Sequence, residues 1–155
     1  MELEKLKSDY EKLSKKYKLP SFKELNEIFE IEKIEKDSDC LLRVVRKVML
    51  EKIINSLNFL EMLLNPMNVP RLYMGFVKQM TVEDKKNLEN MYESLGSLSV
   101  ESLALEINYN EVSEAKMIKK IVDIWNANKA GFAKIIDGIR KPKNSEAKKE
   151  KSYFG

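Results

Sequence analysis

Histidine is absent from all 155 residues. That removes Ser-His-Asp and Cys-His catalysis, imidazole zinc sites and the Glu-x-x-His di-iron sites of helical bundles together. The single cysteine, Cys40, has no histidine to activate it and no second thiol to pair with. It reads as a small buried hydrophobe just inside a helix, in a chain of a reducing compartment. Paired carboxylates are the chemistry left. A Mg²⁺ site for nucleotide hydrolysis in an all-helical protein takes Glu-x-x-Glu from one helix and Glu-x-x-Asp from another. Glu24-x-x-Glu27 and Glu27-x-x-Glu30 fit the first half, and no Glu-x-x-Asp spacing supplies the second. Glu51, Glu101 and Glu106 are the remaining candidates for the missing ligand. Glu and Lys three and four apart also decorate any solvated helix face, so a scattered arrangement is expected. Asp37-Ser38-Asp39 lacks the glycine and distal glutamate of a calcium loop and stands where a helix needs a cap. No catalytic residue, metal ligand or cofactor is assigned.

Binding is better served than catalysis. Between Pro66 and Pro70 the chain turns sharply, and Arg71, Tyr73 and Met74 follow: one of only four arginines, an aromatic and a thioether, a mixture that suits a partner-binding surface. A plain helix–helix connection, with Met67 and Met74 packed in the core and Arg71 near a helix terminus, is the reading favoured for a segment of this length. At the N-terminus Leu3, Leu6, Tyr10, Leu13 and Tyr17 form an apolar stripe at helical spacing, available to a partner or a second copy. Net charge is +3, and from Arg140 onward six basic residues face two acidic ones, so the surplus lies at the C-terminus and residues 1–139 carry −1. Lys141, Lys143, Lys148, Lys149 and Lys151 are candidates for contacting nucleic-acid phosphates.

The elements that must position these residues are all helical. Pro20 stops the first helix near Lys18, and Ser21 with Glu24 forms a capping box for a second carrying Phe22, Leu25, Ile28 and Phe29. Asp37 or Ser38 is expected to cap the next element. No Gly or Pro interrupts residues 39–64, a central helix of roughly 40 Å with Val45, Met49, Ile53, Ile54 and Leu60 on its apolar face. Thr81 caps another, whose Leu88, Met91, Leu95, Leu98, Ser102 and Leu105 hold phase through Gly96, where a neighbouring helix is expected to approach closely. A turn at residues 108–113 leads to a last helix with Trp125, Phe132, Ile135, Ile136 and Ile139 inward. No alternation typical of strands occurs.

The expected fold is therefore all-α: an antiparallel helical bundle of five or six helices, three of them long (39–64, 82–107, 111–139). Residues 1–140 form one domain and 141–155 a basic tail. No apolar run is long enough to span a membrane or serve as a secretion signal, so a cytoplasmic location is expected. The function expected is a non-catalytic interaction module, an adaptor or complex subunit with a protein partner or a second copy. A nucleic-acid-associated protein using the lysine-rich tail is the alternative, and the Mg²⁺-dependent nucleotide hydrolase is third.

Overall fold

A computed structural model describes residues 2–35, 37–65 and 67–141. Six α-helices account for most of them: α1 (Leu3–Tyr17), α2 (Phe22–Phe29), α3 (Leu41–Leu64), α4 (Met74–Gln79), α5 (Val82–Ile107) and α6 (Glu111–Arg140). Short 3₁₀ turns at Ile31–Lys33 and Arg71–Tyr73 join α2 to α3 and α3 to α4. No strand occurs among the described residues.

The frame is α3, α5 and α6. Arg46 on α3 meets Glu106 on α5, and eleven residues further along α3 Leu57 lies beside Gly96 of α5, so the two helices run antiparallel. Met91 and Gly131, then Glu101 and Lys120, pair α5 with α6 in the same opposed sense. The first and third members of such an up-down-up arrangement must be parallel. Arg46 with Glu114 and Phe59 with Phe132 show that α3 and α6 are. Buried Leu42, Val45, Met49, Ile53, Leu60, Leu95, Leu98, Ile118 and Ile121 fill the space between them, the deletion of any one of which would leave a cavity costing about 2–5 kcal/mol.

The N-terminal pair lies against this frame. Lys18 closes α1 in the left-handed conformation (φ 56°), and the chain turns through Pro20 into α2. The Tyr10 hydroxyl donates to Pro20 O (2.7 Å), and the Ser14 hydroxyl donates to Leu19 O (3.0 Å). Ser21 and Glu24 then form the expected capping box. Phe29 packs its ring near Trp125 of α6, and Lys52 of α3 donates to Ile28 O at 2.7 Å.

Several local expectations change. The N-cap of α3 is Cys40, half-buried and outside the helix, with no side-chain cap; the Ser38 hydroxyl instead accepts from Cys40 N, and Asp37 pairs with Lys5. Ile54 and Ile136 face solvent, because each lies at the edge of an apolar arc wider than the neighbouring helices cover. The helix α5 does run unbroken through Gly96, yet a Cβ there would meet Leu57 at 3.9 Å, an ordinary contact. Close approach occurs at α6 instead, where a Cβ on Gly131 would come to 3.0 Å from Met91 Sδ and one on Gly138 to 2.8 Å from the Phe76 ring.

Candidate functional site

Among the described residues, polar groups gather at both ends of the frame. At the end where α3 starts and α5 turns into α6, Glu114 is wholly buried and holds two arginines. Its Oε2 accepts from Arg46 Nε at 2.5 Å, and its Oε1 accepts from Arg46 Nη2 and Arg43 Nε, both at 3.3 Å. Arg46, itself buried, also donates to Glu106 Oε1 (2.7 Å), and Lys47 pairs with the other Glu106 oxygen at 3.3 Å. Arg43 donates to Leu105 O and stacks over the Tyr109 ring, 5.2 Å from its centroid. Burial lowers the tendency of Arg46 to hold its proton, but its bonds to Glu114 and Glu106 win and raise it above the ordinary value. The Arg46 hydrogen bond in turn holds the Glu106 carboxyl below its ordinary range. Burial pushes the Tyr109 phenol up to about 12. Each charge has its counter-charge within the chain, so this cluster ties three helices together.

The opposite end is open. Between the first half of α5, the second half of α6 and the short α4 runs a groove of about 710 Å³, within the range of pockets that take ligands. Its apolar lining is Phe76, Met80, Leu88, Met91 and Ile135, with Ala127, Gly131 and Gly138 providing depth where α6 lacks side chains. Asn87, Asn90, Ser94, Asn128 and Lys134 line it with hydrogen-bonding groups. Gln79 also lines it, and its Nε2 is buried with no hydrogen-bond partner among the described residues. The local sequence explains the opening: the Thr81–Asp84 capping box fixes where α5 begins, and Gly138 lets the Phe76 ring of α4 sit against α6 backbone.

No family model, curated protein or solved structure matches this chain. Geometry alone therefore bears on the site.

The residues singled out in the sequence fall out as follows. Met67 is 88% exposed and Leu72 78%, while Met74 and Arg71 also face solvent and Tyr73 is half-buried, its ring edge-on to Phe59. Core packing of Met67 and Met74 is thus corrected: the connection turns its apolar side chains outward, beside the helix that forms one wall of the groove. The N-terminal stripe goes the other way. Leu6 and Tyr10 are buried, Leu13 and Tyr17 pack half-buried against the same core, and only Leu3 is exposed. That stripe is the docking face of α1 on its own bundle. Tyr17 donates to Glu111 at 2.5 Å and Lys16 pairs with the same carboxylate, which holds Glu111 below its ordinary range.

The carboxylates do not converge. Glu24 caps α2, Glu51 pairs with Lys33, Glu101 with Lys120, and Glu106 with Arg46 and Lys47. Among the described residues no three His, Cys, Asp or Glu side chains could share a metal ion. Lys141 lines the mouth of the groove, whereas Lys143, Lys148, Lys149 and Lys151 lie outside the described residues. No described helix is long and apolar enough to cross a membrane.

Proposed function

We propose that this protein is a non-catalytic interaction module, an adaptor or complex subunit, that receives a protein partner in the groove between α4, α5 and α6. The groove itself carries the reading: an open trough of about 710 Å³ lined by apolar and hydrogen-bonding groups in similar measure, Glu83 and Asp84 among the latter, on a frame whose ionic cluster is closed upon itself. Its floor supplies burial on the order of 25 cal/mol per Å² of apolar surface covered. Asn87, Asn90, Asn128 and Gln79 supply donors and acceptors that fix the register of a bound chain. Arg71, Met74 and Leu72, exposed on the adjoining connection and α4, extend the surface a partner would touch.

Site-specific photocrosslinking in the cell of origin tests this. A crosslinker replacing exposed Asn87, which lines the groove, is expected to give a discrete protein adduct. The same group at Lys12, exposed on α1, is expected to give none. Adducts from position 12 with none from position 87 would place the partner elsewhere and refute the reading.

A further inference from the structure

We propose that the groove has an occupant within its own chain: residues 142–155 turn back from the end of α6 into the trough between α4, α5 and α6, and a partner must displace them. This deepens the reading above and rests on it, since it takes the groove to be a seat for a chain segment. The described residues end at the groove. Lys141, the C-cap of α6, lines it together with Lys134 and Gly138 of the same helix. The next residue is Pro142, which has no amide hydrogen and cannot continue a helix, so α6 stops beside the groove.

Length and chemistry both suit the segment to this seat. The groove follows α5 from Asp84 to Ser94 and α6 from Gly138 back to Asn128, roughly 15 Å at 1.5 Å per residue. Tyr153 lies twelve residues beyond Lys141, a reach of about 18 Å even as a helix and about 40 Å extended. Tyr153 and Phe154 are the only aromatic residues past Lys141, and both can reach the far end of the trough. There Gly131 leaves α6 bare beside the Met91 sulfur, a thioether that favours contact with aromatic rings. The polar groups are matched as well. Glu83 on the α5 wall and Lys134 on the α6 wall have no ion-pair partner among the described residues, so the walls call for a segment carrying both signs. Four lysines and two glutamates precede Tyr153, and Lys143 is two residues from Lys141 at the mouth, within reach of Glu83. The buried Gln79 Nε2 has no acceptor among the described residues, and a backbone carbonyl of an inlaid segment supplies one.

The purified full chain tests this with no partner present. A photocrosslinker replacing Asn90, exposed in the groove, is expected to give an adduct within its own chain to residues 142–155, mapped by mass spectrometry after proteolysis. The control is Ala133, exposed on the other side of α6 at a similar distance from Lys141. Its yield is expected to be at least about fivefold lower, because a seated segment is more concentrated at the groove than a merely tethered one. Equal yields at the two positions, or no adduct from position 90, overturn the proposal. So does an adduct joining labelled to unlabelled chains in a mixture, which makes the occupant a second copy. Tyr153→Ser with Phe154→Ser is expected to lower the position-90 yield to that of position 133, and an undiminished yield overturns the seating through the aromatics. Failure here beside a protein adduct from position 87 in the cell removes the segment and leaves the partner reading standing; the reverse pair of results removes the partner and leaves the segment in its seat.

Discussion

Replacing Glu114 by alanine is the sharpest perturbation of the frame. The carboxylate is fully buried and is the shared counter-charge of Arg46 and Arg43. Breaking a buried ion pair by removing one partner costs about 3–5 kcal/mol, because the remaining charge stays buried and uncompensated. Here Arg46 keeps Glu106, and Arg43 keeps Leu105 O, so the lower end applies: about 3 kcal/mol. Against a stability of about 5–15 kcal/mol the variant still folds. With a urea dependence of about 2 kcal/mol per molar, the unfolding midpoint falls by about 1.5 M. The assay is urea unfolding followed by circular dichroism. The companion variant is Arg46→Met with Glu114→Leu, which replaces the pair by apolar volume and is expected to be more stable than Glu114→Ala alone. Lys33→Ala, breaking the exposed pair with Glu51, serves as control and is expected to shift stability by under about 0.5 kcal/mol. A loss below about 1 kcal/mol for Glu114→Ala, or a double variant weaker than the single, would refute the account of the cluster.

Other consequences can be checked on the same purified chain. Gly96→Ala is expected to stabilise by about 0.5–1 kcal/mol, since a Cβ fits beside Leu57 and helix propensity rises. Gly138→Ala is expected to destabilise by about 1–3 kcal/mol, because its Cβ would press into the Phe76 ring; thermal melts of both check the pair. The carboxyls of Glu106 and Glu111 sit below the ordinary 4.5 when folded, so their contribution is present above that value and is lost as pH falls through the folded pKa. Urea midpoints should be flat from about pH 5 to 8 and drop below about pH 4.5, less steeply in Glu106→Gln. At the other end Tyr109, raised to about 12, ties stability to its neutral form, which is lost as pH rises from 10 through 12. If the tail lysines contact phosphates, binding to DNA or RNA falls with salt at a log-log slope of about −4 and disappears on deletion of residues 141–155. No binding at low salt would discard the nucleic-acid reading.

The bundle was legible because each long helix repeats its apolar residues at helical spacing, and because Ser21 and Thr81 sit three residues before an acid that completes a capping box. The start of α3 was not, since Asp37 and Ser38 satisfied the composition of a cap while the backbone placed Cys40 there instead. The ionic cluster left a trace that periodicity alone does not interpret. Arg46 falls between Leu42 and Met49 on one face of α3, and Glu114 falls in step with Met117, Ile118 and Ile121, so each is a charge set in an apolar stripe. Pairing them needs the tertiary fold, because 68 residues separate them. The groove is a product of packing: its depth comes from Ala127, Gly131 and Gly138, and its wall from Phe76 leaning on the last of these.

The claim that the groove receives a partner is tested most directly by filling it. Ala127 is exposed and lines the groove, so Ala127→Trp occupies the trough without entering the core. Titration calorimetry with the partner captured through position 87 is expected to show affinity reduced at least about 30-fold, equivalent to about 2 kcal/mol, with the melting temperature of the variant unchanged. Undiminished affinity for Ala127→Trp, at equal stability, would contradict the account.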